Sequence, residues 1–112
     1  MRKPKDIIIY SDDRGKEPFT IWLQTIKDIK TRARIKQRLR RIEIGNLGDY
    51  KPVGEGVFEL RLQFGPGYRV YYGEINNQLI VLLCGGDKPS QYDDIKKAKV
   101  YWKEYRSKHY ES

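Results

Sequence analysis

The run Leu79-Ile80-Val81-Leu82-Leu83-Cys84 is apolar at every position, with Asn76-Asn77 before it and Gly85-Gly86 after it. Side chains of a strand alternate between the two faces of a sheet, so a strand that is apolar throughout is expected at a sheet centre, covered on both faces. Asn76-Asn77 is a strong signal for a two-residue hairpin turn, which joins this strand to residues 68–75. Upstream, Phe58, Leu60 and Leu62 alternate with Glu59, Arg61 and Gln63, the period-two pattern of a half-buried strand. Phe64-Gly65-Pro66-Gly67 then turns the chain back. These three segments read as a meander.

The rest of the chain supplies one more strand and three helices. Ile7-Ile8-Ile9-Tyr10 reads as a first strand that ends at the polar turn Ser11-Asp12-Asp13-Arg14-Gly15. Phe19, Trp22, Leu23 and Ile26 share one helix face, and Pro18 suits the first turn of that helix. After a break near Asp28 to Thr31, Ile35, Leu39 and Ile42 define a second helix that Gly45-Asn46 ends; Gly48 to Gly56, with Pro52, reads as a loop. Ser90, with Asp93 three residues on, caps a last helix whose apolar face is Ile95, Ala98, Trp102 and Tyr105. The expected order is β-α-α-β-β-β-α, an α+β fold with an antiparallel sheet packed against helices. A single domain over residues 1–112 accounts for the length.

Charge narrows the partners. Twenty-three Lys and Arg against fifteen Asp and Glu give a net charge of +8, which favours a polyanion or an acidic protein as partner. Cys84 is the sole cysteine, so an intramolecular disulfide and a Cys cluster for zinc are both excluded, and a reducing cytoplasm is the expected setting. No apolar run approaches the roughly 20 residues that span a bilayer, and Met1 to Asp6 does not lead into a signal peptide's apolar region. A soluble, intracellular protein with no membrane partner is expected.

Arg69 lies inside the otherwise apolar stretch Tyr68 to Tyr72. Counting outward from Asn76-Asn77 pairs it with Cys84, beside the strand end that carries Asp87 and Lys88. Arg61 reaches the same region if its hairpin closes around Gly65-Pro66, with Lys51 and Tyr92 at the rim. Guanidinium groups bind phosphate oxygens bidentately and stay charged, so this set suits a phosphodiester and the extra negative charge of its transition state. Histidine usually supplies the acid and base, yet only His109 is present, three residues from the C-terminus and expected inert in a frayed tail. The acid and base then come from Glu59, Lys51, Lys88, Tyr92 or Asp94, or give way to positioning and electrostatics. Asp87, Asp93 and Asp94 lack a partner carboxylate elsewhere, so neither a metal nor a cofactor is expected.

Plainer readings stand beside these. Arg61 with Glu59 reads equally as an exposed ion pair contributing ~0–1 kcal/mol. The second helix, with Arg38 and Arg41 among its cations, is either a solvated face or a track for an RNA backbone. Tyr68, Tyr71, Tyr72, Tyr101 and Trp102 read as core packing before base stacking, Asp87 as a turn stabiliser and Cys84 as a small buried hydrophobe.

Four segments together carry a resemblance: Gly45 to Val53, Glu59-Leu60-Arg61, Phe64-Gly65-Pro66-Gly67-Tyr68-Arg69-Val70-Tyr71, and Cys84-Gly85-Gly86-Asp87-Lys88. They resemble the phage-derived, HigB-like killer proteins of the RelE/ParE toxin superfamily, across nearly the whole chain. The resemblance implies a compact, microbial RNase-type α+β toxin partnered by a helix-turn-helix antitoxin. It further implies metal-independent cleavage of messenger RNA in the ribosomal A site, beside 16S rRNA, by attack of the 2′-OH. Carried over, Arg69 stabilises the scissile phosphate, Arg61 and Lys88 are the flanking basic residues, and Tyr92 lies near a base-stacking tyrosine. Glu59 departs from the pattern, since RelE-like toxins carry a basic residue there, and it is a candidate base as in some related toxins. A ParE-like gyrase inhibitor and a non-catalytic RNA- or protein-binding module are the alternatives.

Overall fold

A computed structural model describes residues 4–109. The elements are β1 (Asp6–Ile9), α1 (Pro18–Thr25), α2 (Ile29–Glu43), β2 (Tyr50–Gly54), β3 (Val57–Arg61), β4 (Arg69–Ile75), β5 (Leu79–Gly86) and α3 (Gln91–His109). All five strands form one sheet in the order β1-β5-β4-β3-β2. The fold is α+β as expected, with the apolar strand β5 in the interior of the sheet and buried from Ile80 to Gly86.

Two features correct the expected architecture. The segment read as a loop over Gly48 to Gly56 contains β2, so the order is β-α-α-β-β-β-β-α. β2 pairs with β3 through Tyr50↔Leu60, Lys51↔Glu59 and Pro52↔Phe58 before a register shift. As an edge strand it tolerates Pro52, which has no N–H to donate to a ladder, and Gly54, and these two residues mask the strand signal of Tyr50 and Val53. The sheet is also mixed, because β1 runs parallel to β5 while the other pairs are antiparallel. Between β1 and β2 the chain passes through α1 and α2, enters the sheet at its far edge and returns by four antiparallel strands, which sets β5 parallel to β1.

Helices cover the two faces. Leu60, Val70, Tyr72, Ile80 and Leu82 pack beneath α1 and α2 with Phe19, Ile35, Leu39 and Ile42. Val57, Tyr71, Val81 and Leu83 form the opposite face and pack against Ala98 and Trp102 of α3. A Cβ on Gly73 would lie 2.4 Å from the Trp102 ring, so the missing side chain is what lets the indole lie flat on β4. Pro18 opens α1 as the sequence suggests, whereas α2 starts earlier, with Asp28 accepting from the Lys30 N–H at 3.2 Å and from Thr31 Oγ1 at 2.8 Å. At the start of α3, Ser90 is wired to Asp94 and Asp87, not to Asp93. Among the described residues no helix is long and apolar enough to cross a membrane.

Candidate functional site

The chemistry gathers where β2, β3, β4 and the first turn of α3 meet. Glu59 pairs across the sheet with Lys51 on one side and Tyr71 on the other, and Arg61 lies directly opposite Arg69. Like charges facing each other on neighbouring strands repel, and here a carboxylate one pleat away offsets the repulsion. Glu59 is 0% exposed. Its Oε1 accepts from Gln91 Nε2 at 2.8 Å and from the Tyr71 hydroxyl at 3.3 Å, with Arg69 Nε 3.4 Å away. Its Oε2 accepts from Arg61 Nε at 3.2 Å and faces Lys51 Nζ at 3.9 Å. Arg69 Nε is buried without a hydrogen bond among the described residues, so its link to Glu59 is a charge contact; Arg69 Nη1 donates to the Gly67 carbonyl at 2.7 Å.

Exposure sorts these charges by depth. The side chains of Lys51, Arg61 and Arg69 are 46%, 38% and 13% exposed above a fully buried carboxylate. Three cations around one acid leave a surplus of positive charge, and the surplus lies on the solvent side. Among the two readings of Arg61 and Glu59, the exposed surface pair is therefore excluded on the Glu59 side.

Lys88 joins through the backbone. Its N–H donates to the Pro66 carbonyl at 3.3 Å, docking the 64–67 turn onto the turn after β5. Gly67 has φ +78, and a Cβ there would lie 3.2 Å from Lys88 Cβ and 3.1 Å from Arg69 Nη1. Glycine thus serves both the left-handed backbone and the close packing of Arg69 and of Lys88 against this turn. The register differs from simple counting: Arg69 is opposite Gly86, and Tyr71, not Arg69, is opposite Cys84. Asn76 and Asn77 do form the turn, at φ 52 and 55, but Gln78 stays outside the ladder and a second register shift follows between Tyr71 and Tyr72. Two extra residues on β5 preserve which face each side chain occupies, so Arg69 still reaches the strand end that carries Lys88.

Other expected members are distributed as follows. Tyr92 is exposed, with Lys96 Nζ 4.4 Å from its ring centroid, and it is the preceding residue, Gln91, that enters the Glu59 cluster. Gln91 lies four residues before Ile95 and so extends the buried stripe of α3 backward, a signal present in the sequence. Asp87 holds its turn by accepting from the Ser90 N–H at 3.1 Å. Burial raises the Asp94 carboxyl above its ordinary range, against the hydrogen bond from Ser90. His109 is the last residue of α3 and packs on Tyr105, which places it within the helix instead of a frayed tail. At 1.5 Å rise per residue it lies roughly 27 Å from Gln91. The aromatic residues favour the core reading: Tyr71, Tyr72 and Trp102 are buried and Tyr101 stacks on Tyr10. Burial pushes the Cys84 thiol up to about 12.

A second basic feature adjoins the first. Arg34, Arg38 and Arg41 of α2 face Arg61 across a cleft of ≈ 350 Å³. Arg38 Nη2 donates to the Leu47 carbonyl, while its Nη1 is buried with no hydrogen-bond partner among the described residues. Burial, followed by repulsion from Arg41, lowers the Arg38 guanidinium from its ordinary value. Arg34 stacks on Phe64, 3.9 Å from the ring centroid. Arg61 both lines this cleft and binds Glu59, so the cleft, which also holds the Asp49 carboxylate, adjoins the Arg69 cluster.

No family model matches the chain. It is 49% identical over 82 residues to an uncharacterized protein of Haemophilus influenzae strain Rd, an overlap of 73% of this chain and 83% of the relative. The chain belongs to the family of that Haemophilus protein.

Proposed function

We propose that the protein is the toxin of a type II toxin–antitoxin pair, with a RelE-like, microbial RNase-type fold, and that it cleaves messenger RNA in the ribosomal A site. The observation that carries this reading is the grouping of Arg61, Arg69 and Lys88 at one end of the sheet with positive charge in excess of Glu59. A phosphodiester bound there meets guanidinium donors that stay charged as the phosphorus becomes pentacovalent. In the reaction the 2′-oxygen attacks phosphorus and the bond from phosphorus to the 5′-oxygen breaks. The 2′-OH proton leaves to a base, an acid returns one to the 5′-oxygen, and the products are a 2′,3′-cyclic phosphate and a 5′-hydroxyl.

Glu59 suits neither proton role in this arrangement, because it is fully buried and both its oxygens are occupied by the cations and donors around it. It holds Arg61 and Arg69 in place. Lys51 and Tyr92, both exposed, remain as rim groups for substrate, and Arg38 and Arg41 extend the track along α2. With no histidine near the cluster, much of the rate falls to positioning by the ribosome. The proposal includes a helix-turn-helix antitoxin that covers the cationic surface and a cytoplasmic setting.

Induction of the wild-type protein and of Arg69→Ala in bacteria separates the readings. Prompt translational arrest with new message ends inside codons, lost in Arg69→Ala, is the expected result. Intact messages with loss of DNA supercoiling would instead identify a gyrase inhibitor.

A further inference from the structure

Resting on the reading of this cluster as a phosphate site, we infer that Gln91 is a positioning residue that fixes the Glu59 carboxylate and, through it, the guanidinium of Arg69. Gln91 Nε2 makes the shortest contact that Glu59 receives, 2.8 Å to Oε1. Oε1 is also the oxygen that faces Arg69 Nε at 3.4 Å, the buried nitrogen that has no hydrogen bond of its own. The competing partners, Arg61 and Lys51, act on Oε2 and are the more exposed ones. Without Gln91, Oε1 keeps only the longer bond from the Tyr71 hydroxyl at 3.3 Å, the pull of Arg61 and Lys51 on Oε2 is less opposed, and the charge that offsets the repulsion of Arg69 from Arg61 across the strand pair is held less closely.

The residue type fits the task. A neutral amide holds the carboxylate by a hydrogen bond without adding charge, so the surplus of cations above stays available to an anion. A cation at position 91 would draw Glu59 away from Arg69, and an acid would repel it. The platform is fixed as well, since Ser90, the residue before it, is tied to Asp87 and Asp94. The first turn of α3 is thereby part of the site and not only its cover.

The test uses the full chain and two substitutions. Gln91→Met keeps the length of the side chain and removes its donors; Gln91→Glu restores a donor only while a carboxyl proton is shared with Glu59. Arg69 Hε is shielded by burial against Glu59, and its exchange with water, read by side-chain NMR, is expected to speed up about tenfold in Gln91→Met as the cluster opens more readily, while backbone amides stay protected. In Gln91→Glu, whose new carboxyl would face Glu59 together with Lys51, Arg61, Arg69 and Tyr71, Arg69 Hε protection is expected to return as pH falls. On programmed ribosomes kcat is expected to fall about a hundredfold in Gln91→Met with KM little changed. Unchanged Arg69 Hε exchange in a folded Gln91→Met, or Hε exchange in Gln91→Glu that matches Gln91→Met at every pH, would overturn the inference. Loss of Hε protection alongside a wild type that cuts no RNA would support the positioning role and defeat the nuclease reading.

Discussion

Replacing Glu59 by glutamine keeps the shape of the side chain and removes the only negative charge among Lys51, Arg61 and Arg69. Among the described residues, the polar groups that meet the Glu59 carboxylate are donors or cations: Gln91 Nε2, the Tyr71 hydroxyl, Arg69 Nε, Arg61 Nε and Lys51 Nζ. A glutamine amide offers one acceptor oxygen, so its own N–H groups must face some of these donors. Removing one member of a buried ion pair costs about 3–5 kcal/mol. Arg69, at 13% exposure, falls in that class. Arg61 and Lys51 are far more exposed and contribute ~0–1 kcal/mol each. Because Arg69 keeps its bond to the Gly67 carbonyl, the lower end applies and Glu59→Gln is expected to lose about 3 kcal/mol. At about 4 °C per kcal/mol for a domain of this size, the thermal midpoint falls by roughly 12 °C. Unfolding followed by circular dichroism measures it, and the double variant Glu59→Gln/Arg69→Gln is expected to recover about 2 kcal/mol of the loss. A Glu59→Gln protein within about 1 kcal/mol of wild type, or a double variant with no recovery, would refute the reasoning.

Two further perturbations probe the frame around the site. In Gly73→Ala the new methyl meets the Trp102 ring, and the overpacking is expected to destabilise by about 1–3 kcal/mol, seen as a lower urea midpoint. Asp94 has a folded-state carboxyl raised above its ordinary 3.8, so the stability it contributes is present below the unfolded value and lost as pH rises through the folded one. The stability of Asp94→Asn relative to wild type is therefore expected to rise between about pH 3 and pH 7; a difference that is flat or falls with pH would contradict this.

Local pattern carried the helices and the meander because each depends on residues close in sequence. Phe19, Ile35, Leu39, Ala98 and Trp102 are buried on the faces their spacing indicates. Edge strands obey weaker rules: β2 holds Pro52 and Gly54, and only its pairing with Phe58 and Glu59 makes it a strand. The parallel pairing of β1 with β5 joins segments some seventy residues apart, as in Asp6↔Leu79, and no periodicity encodes it. Arg61 and Arg69 were legible as neighbours because the β3–β4 hairpin closes around Gly65-Pro66 without a register shift, and Arg69 was legible near Lys88 because the shifts on β5 total two residues and leave faces unchanged. The depth of Glu59 was not legible, since the groups that bury it come from β2, β4 and α3 together.

The most direct test of the central claim adds purified protein to ribosomes holding a defined message and maps the RNA ends by primer extension. Arg69→Ala is a suitable comparison, because Glu59 keeps Arg61, Lys51, Gln91 and Tyr71 when Arg69 is removed. Wild type is expected to cut within the A-site codon and leave a 5′-hydroxyl, and a folded Arg69→Ala to cut at least about a hundredfold more slowly. Equal rates for the two proteins, or an uncut message with wild type, would contradict the account.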